Sequence, residues 1–300
     1  MAASLSKKKK ALIIAAAVLL VLAIVGIIVM FTVCNNIRYS AYTKGRMKKE
    51  IVSYLDKEVK FIAHRGLSNE AYQNTEEAFL LAAQDDNVWG IETDVWATCD
   101  GGIVCMHDKD SLFGISDVKD VTLEVATTTP IADDRQKYAP TLQKYLEICA
   151  EHGKVAVVEI KDKNMGGDVI DTLIEAVRDS GAQARYISFH MNILEQIRER
   201  DGNAQLQYLS SGVAVSRKTI DRAIELRCDF SCYHVTLAKR YAKRFRAAGL
   251  KIGVWTINDP KLAVCYVSDY SVDYITTDIR MKDAIDDYIL QTVKDIASIS

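Results

Sequence analysis

Glu92-Thr93-Asp94 and Glu159-Ile160-Lys161 repeat one spacing, with a charged residue on either side of a single neutral one. On a β-strand this spacing projects both charged groups to the same face, because side chains alternate. If that face is the inside of a sheet, the charge is costly unless it is paired or bound to metal. Glu92, Asp94 and Glu159 together suit one hard divalent cation, Mg²⁺ or Ca²⁺, with water filling the rest of its shell. No thiolate joins them, which disfavours zinc. One Glu-x-Asp pair alone is as readily an ordinary solvated strand edge. Two pairs, with the groups beside them, shift the reading to a site.

Those neighbours come from "FIAHRG" and "GGIVCMHD". The apolar run 61–63 ends abruptly in His64 and Arg65, and Gly66 then releases the chain into a polar loop. His107 lies fifteen residues after Glu92. Imidazole titrates near neutral pH, so His64 and His107 could remove a proton and protonate a leaving oxygen in one reaction. Arg65 and Lys161 would hold an anion, the arginine through its planar fork. A cation, two cationic side chains and an acid–base pair together describe a site for phosphate esters. His152, His190 and His234 are read as structural or surface residues.

Positioning these groups takes strands and helices. Short β-branched runs at 59–63, 90–97, 155–160, 184–189, 205–209, 229–235, 251–257 and 272–276 alternate with segments of helical period. The helical segments are 75–84, 141–152, 168–179, 193–200, 217–226, 237–248, 260–267 and 281–296. The alternation predicts an α/β fold, a (β/α)8 TIM barrel, with a doubly wound open sheet as the competing arrangement. A barrel gathers its site at the C-terminal ends of its strands, where His64-Arg65, Glu92–Asp94, Glu159–Lys161 and Trp255 all fall. Residues 108–140 form an insertion after the second strand, and 102–107 read as a hairpin arm leaving that strand. Three prolines leave no Pro-rich linker, so 59–300 reads as one domain.

The N-terminal part differs. Lys7 to Lys10 close a basic flank, 1–10, and residues 11–33 carry no charge. At about 1.5 Å per residue such a run spans a bilayer's hydrocarbon core as one transmembrane helix. A cleaved signal or lipoprotein is the alternative, but no small-residue exit precedes Cys34. Residues 34–58 read as a juxtamembrane linker with a short helix at 47–55. The lysines before the span predict single-pass attachment to the cell membrane with the barrel extracytoplasmic. Residues 35–300 hold 34 basic and 40 acidic side chains, which argues against a nucleic-acid partner. Seven cysteines without a C-x-x-C do not form a disulfide framework. Cys228 and Cys232, four apart, could share a helix face, against the simpler reading of scattered half-buried thiols.

From about residue 59 to 278 the chain resembles the glycerophosphodiester phosphodiesterase family of metal-dependent (β/α)8 enzymes. The matching pieces are "AHRG", "NTEEAF", "IETDVWATCDGGIVCMHD", "VVEIK", "ISFH", "GVWTIND" and "VDYITTD". Each is weak alone and specific in combination. The resemblance implies His64 and His107 as the acid–base pair and Glu92, Asp94 and Glu159 as metal ligands. It also implies Arg65 and Lys161 as phosphate contacts, and Trp255 as a pocket wall. The family reaction releases sn-glycerol 3-phosphate and an alcohol from a glycerophosphodiester.

Two departures bear on the alcohol rather than on catalysis. The family usually writes Pro-Glu-Asn-Thr where this chain has Tyr72-Gln73-Asn74-Thr75, removing a charge and freeing a φ angle. After His107-Asp108 the family's Leu followed by Arg-Thr-Thr is replaced by Leu112 followed by Phe113-Gly114-Ile115-Ser116. Other readings are a lysophospholipase D-like enzyme on membrane lysophospholipids and a non-catalytic phosphate-binding domain. A carbohydrate enzyme using Glu92 and Glu159 would give the two histidines no work.

Overall fold

The computed structural model describes residues 44–212 and 215–297, together with Gly26 and Met30. The chain divides into two compact units, Met1–Lys49 and Glu50–Ser300. In the first unit, Gly26 and Met30 are helical. The transmembrane helix expected over 11–33 otherwise falls outside the described residues. Among the described residues no helix is long and apolar enough to cross a membrane. The short helix expected at 47–55 is α1, Lys44–Leu55.

In the second unit, eight parallel strands close on themselves. They are β1 (Lys60–Ala63), β2 (Val88–Ala97), β4 (Val155–Ile160), β5 (Ala184–Ser188), β6 (Leu206–Ser210), β7 (Cys228–Tyr233), β8 (Ile252–Trp255) and β9 (Tyr274–Thr277). Each pairs with the next, and β1 pairs with both β9 and β2, so the sheet has no open edge. The barrel, not the open sheet, is the fold. The arm expected at 102–107 is β3, Ile103–Cys105, antiparallel to β2 with Val95 opposite Cys105.

The strand β4 shows why the sequence folds this way. All six of its residues, VAVVEI, are buried, as a parallel strand covered on both faces requires. Ala156, Val158 and Ile160 pack outward against the helices. Val155 and Val157 point inward with Ile62, Ile187, Leu209 and Tyr274, filling the barrel. Glu159 follows Val157 on that inward row, at the end where packing gives way to a cavity. The helices between strands are α2 (Glu76–Ala83), α4 (Leu142–Glu151), α5 (Gly167–Ser180), α6 (Met191–Arg200), α7 (Arg217–Glu225), α8 (Lys239–Ala247) and α9 (Pro260–Tyr270), and α10 (Met281–Ala297) follows β9. Several start on hydroxyl or carboxylate caps: Thr75, Thr141, Ser216 and Asp259 each accept from a backbone N–H of the first turn.

The insertion 108–140 contains α3 (Leu123–Thr128) and builds a small core of its own from Val104, Met106, Leu112, Val118, Ala126 and Ala139. The described cysteines are all free thiols, and Cys228 and Cys232 lie buried on β7 rather than on a helix.

Candidate active site

At the end of β1 the chain stops extending and turns. His64 still donates its backbone N–H to Thr277 of β9 at 2.8 Å. Arg65 then adopts φ 57° and Gly66 φ 81°. A Cβ on Gly66 would lie 2.5 Å from the carbonyl carbon of Ala78, so only glycine lets this turn pack on α2. The turn aims the Arg65 backbone N–H at Glu92 Oε2, 2.8 Å away, and brings its Nε to 3.1 Å from Asp94 Oδ2. Asn74, at φ 53°, braces the same carboxylate. Its Nδ2 donates to Asp94 Oδ2 at 2.9 Å, and its carbonyl oxygen accepts from Thr93 Oγ1 at 2.8 Å.

Glu92, Asp94 and Glu159 are buried, and one oxygen from each lies within 4.8 Å of the others. Glu92 Oε1, Asp94 Oδ1 and Glu159 Oε1 have no hydrogen-bond donor among the described residues. Lys161 Nζ approaches Glu159 Oε1 at 2.9 Å and Asp94 Oδ1 at 3.3 Å, at ion-pair distance. Burial, with Asp94 and Glu159 beside it, pushes the Glu92 carboxyl well above its usual range. Burial and Asp94 push Glu159 up to about 7. For Asp94, burial works against ionisation, but Lys161 and Arg65 outweigh it and hold the carboxyl below its usual value. Burial would lower Lys161, and the charges of Glu159 and Asp94 raise it instead. Three buried carboxylates crowded within 4.8 Å, balanced by Lys161 alone on two of their inner oxygens and by nothing on Glu92 Oε1, fit one divalent cation, which these residues could hold.

The two histidines stand beside this cluster. His64 Nδ1 lies 2.7 Å from Asp278 Oδ1. Asp278 accepts in addition from Ser68 Oγ at 3.0 Å and from Asn258 Nδ2 at 2.6 Å. His107 follows β3, and its Nδ1 lies 2.9 Å from Asp108 Oδ1. Its carbonyl accepts from Trp96 Nε1 at 3.0 Å, and the preceding Met106 N–H donates to Asp94 O at 2.9 Å, which ties the arm back to the barrel mouth. His64, His107, Glu92, Glu159, Arg65, Lys161 and Trp255 line one cavity of about 170 Å³. Asp94 sits against it through Arg65 and Lys161. The structure therefore brings together every residue that the sequence marked for the site.

Residues 64–280 match the glycerophosphoryl diester phosphodiesterase family. The chain belongs to that family. Glycerophosphodiester phosphodiesterase 1 of Bos taurus is 23% identical over 269 residues, covering 77% of this chain and 81% of the relative. An uncharacterized protein of Mycoplasma genitalium is 26% identical over 229 residues, covering 70% and 91%. A phosphodiesterase of Oleispira antarctica, solved with the product sn-glycerol-3-phosphate, shares the fold with TM-score 0.68 at 22% identity, covering 78% of this chain and 99% of that one. A glycerophosphodiester phosphodiesterase of Thermotoga maritima has TM-score 0.60 at 24% identity, covering 74% and 95%. The chain is accordingly a phosphoric diester hydrolase of the glycerophosphodiester phosphodiesterase type.

Within this phosphodiesterase, the departure at Gln73 is smaller than its lost charge suggests. Gln73 Oε1 accepts from Arg65 Nη1 at 2.5 Å, so an acceptor for the guanidinium remains. Nor does the missing proline leave the loop untied. Asn74 N–H donates to Arg65 O at 3.0 Å and Thr75 Oγ1 to Tyr72 O at 2.6 Å. Sequence reasoning gave no role to Asp278, Asn258 or Asn74, although all three lie in quoted motifs. The signal was there for Asn74 and Asp278, polar residues directly flanking strand or helix ends that lead into the cavity. Trp255 closes β8 and packs edge-on against Phe189, ring centroids 5.7 Å apart, and tilted against Tyr233 at 5.6 Å.

Proposed function

We propose that the chain hydrolyses glycerophosphodiesters to sn-glycerol 3-phosphate and an alcohol, with one divalent cation, Mg²⁺ or Ca²⁺, held by Glu92, Asp94 and Glu159. The observation that carries this reading is the convergence of three buried carboxylates within 4.8 Å, beside a cavity that both histidines line. Such a cation, when bound, polarises a phosphoryl oxygen and offsets the charge that develops on it. Arg65 and Lys161 hold the remaining phosphodiester oxygens. One histidine takes the proton of the attacking hydroxyl, whether of water or of the neighbouring glycerol carbon, and the other protonates the departing alkoxide. Asp278 keeps a proton on His64 Nδ1 and so leaves Nε2 to exchange one.

The Oleispira antarctica relative's bound product, sn-glycerol-3-phosphate, supports the same product here. The uncharged run 11–33 behind four lysines supports single-pass attachment to the cell membrane with the barrel on the extracytoplasmic side. Attachment of the chain to a membrane favours a lysophospholipid as the second substrate to assay.

The test is release of glycerol 3-phosphate from glycerophosphocholine and glycerophosphoethanolamine by the metal-stripped protein, with Mg²⁺, Ca²⁺ or nothing added back. Turnover that needs metal and disappears in Glu92→Gln supports the reading. No turnover on these with any metal, and release of choline from lysophosphatidylcholine instead, would replace it by the lysophospholipase D reading.

A further inference from the structure

The cavity's lining is of two kinds. Glu92, Glu159, the histidines, Arg65 and Lys161 are the charged and proton-exchanging groups, and Val157, Ile187 and Leu209 are apolar. Next to Ile187, two strands from Glu159, β6 sets Gln207. Gln207 is 3% exposed, and its Nε2 has no acceptor among the described residues. A buried amide left without a partner is retained at a cost in stability, unlike an apolar side chain of the same shape. The neighbouring strands make room for it. On β8, Gly253 has no side chain, and a Cβ there would stand 2.8 Å from Ser231 Oγ and 3.2 Å from Gln207 Nε2. Glycine at 253 thus keeps open the space onto which the Gln207 amide and the Ser231 hydroxyl both face.

A donor in an uncharged wall fits an uncharged oxygen. A phosphate belongs with the cationic Arg65 and Lys161, and a quaternary ammonium would gain nothing from an N–H donor. We propose that Gln207 is a specificity-determining residue that donates a hydrogen bond from Nε2 to a free hydroxyl of the substrate's glycerol unit. The proposal rests on the phosphodiesterase reading above and adds the group that reads the glycerol. It makes the chain selective for phosphodiesters that carry a free glycerol hydroxyl, because a site built around a buried donor rejects an analogue that leaves the donor unpaired.

The experiment compares kcat/KM for glycerophosphoethanolamine and for bis(p-nitrophenyl) phosphate, which has no glycerol, using the full chain loaded with Mg²⁺. Gln207→Met keeps the length and removes the amide. The ratio of the two specificity constants should fall about 10- to 100-fold in this variant, the loss expected for one hydrogen bond to a buried donor. Gln207→Asn, which keeps the amide but withdraws it by one methylene, should recover part of the ratio, and it serves alone if the methionine variant does not fold. Equal losses on both substrates would make Gln207 a structural residue and overturn the proposal, as would an unchanged ratio. If the wild type hydrolyses only the p-nitrophenyl diester, the glycerophosphodiester reading fails separately. Gln207 is then judged by calorimetric binding of sn-glycerol 3-phosphate against inorganic phosphate. A preference for the glycerol ester that Gln207→Met abolishes supports the role, and the absence of any preference overturns it.

Discussion

His64 Nδ1 and Asp278 Oδ1 meet at 2.7 Å across 214 residues of chain, joining the end of the first barrel strand to the end of the last. Closure of the barrel makes this pair possible, since β1 and β9 run side by side with Ala63 opposite Thr277. Asp278 thereby fixes which imidazole nitrogen carries the proton. Burial opposes ionisation of Asp278, but the hydrogen bonds from His64 and Asn258 prevail and lower its pKa. A carboxyl depressed on folding contributes stability above its unfolded pKa and loses it as pH falls through the folded value. Asp278→Asn should therefore melt lower than wild type near neutral pH, with the gap closing as pH falls below about 4. The same variant should cut kcat with little change in KM, and His64→Ala should cost about 10²–10⁴-fold in kcat. Differential scanning fluorimetry across pH and steady-state kinetics check both.

The carboxylate cluster titrates in the opposite sense. Glu92 and Glu159 are raised, by burial first and by their acidic neighbours second. A carboxyl whose pKa rises on folding costs stability as pH climbs from its unfolded value, near 4.5, through its folded one. The metal-stripped protein should lose melting temperature between about pH 5 and pH 7. Divalent cation should restore it, by about 2.7 kcal/mol at a hundredfold excess over Kd. Glu92→Gln should flatten the pH dependence and abolish the response to cation. A melting curve with EDTA, Mg²⁺ and Ca²⁺ at three pH values decides this.

The contrast between Glu159 and Asp278 shows what the sequence disclosed. Glu159 was legible because strand alternation alone places it two residues above Val157, on the row that faces the barrel axis. The barrel was legible for the same reason, since eight short apolar runs separated by helical periods have few other ways to cover both faces. Asp278 was not legible as the partner of His64. Nothing local ties residue 278 to residue 64, and the pairing exists only once β9 closes against β1. Gln207 was hidden differently. It occupies an ordinary inward strand position, and its significance lies in an unpaired donor and in the missing side chain of Gly253 on another strand.

Gln73 holds the Arg65 guanidinium through an amide oxygen, with Nη1 at 2.5 Å. Removing it takes away one anchor of the guanidinium and leaves the side chain held by Asp94, with Nε 3.1 Å from Oδ2. Gln73→Ala should raise KM for a glycerophosphodiester about fivefold, near the worth of one hydrogen bond to a charged group, and leave kcat almost unchanged. Gln73→Glu should match or improve on wild type, because an ionised acceptor binds a guanidinium more strongly. Initial-rate kinetics with both variants separate this positioning role from a structural one, which would lower melting temperature as well.

Gly66 allows the turn after β1 that aims Arg65 at Glu92. Alanine there would have its Cβ 2.5 Å from the Ala78 carbonyl carbon and 2.6 Å from the carbonyl oxygen, both backbone atoms that α2 holds in place. Strain at a positive φ costs a non-glycine residue about 1–3 kcal/mol, and overpacking adds about 1–3 kcal/mol more. Gly66→Ala should therefore lose much of the protein's stability and, in whatever fraction folds, its divalent-cation response, since the Arg65 N–H would no longer reach Glu92. Gly101→Ala is the control. Its φ is likewise 81°, yet no atom lies within 4 Å of the added Cβ, so only the backbone strain remains. Chemical denaturation of the two variants should show the larger loss at Gly66, and equal losses would mean that the contact with α2 does not hold the turn.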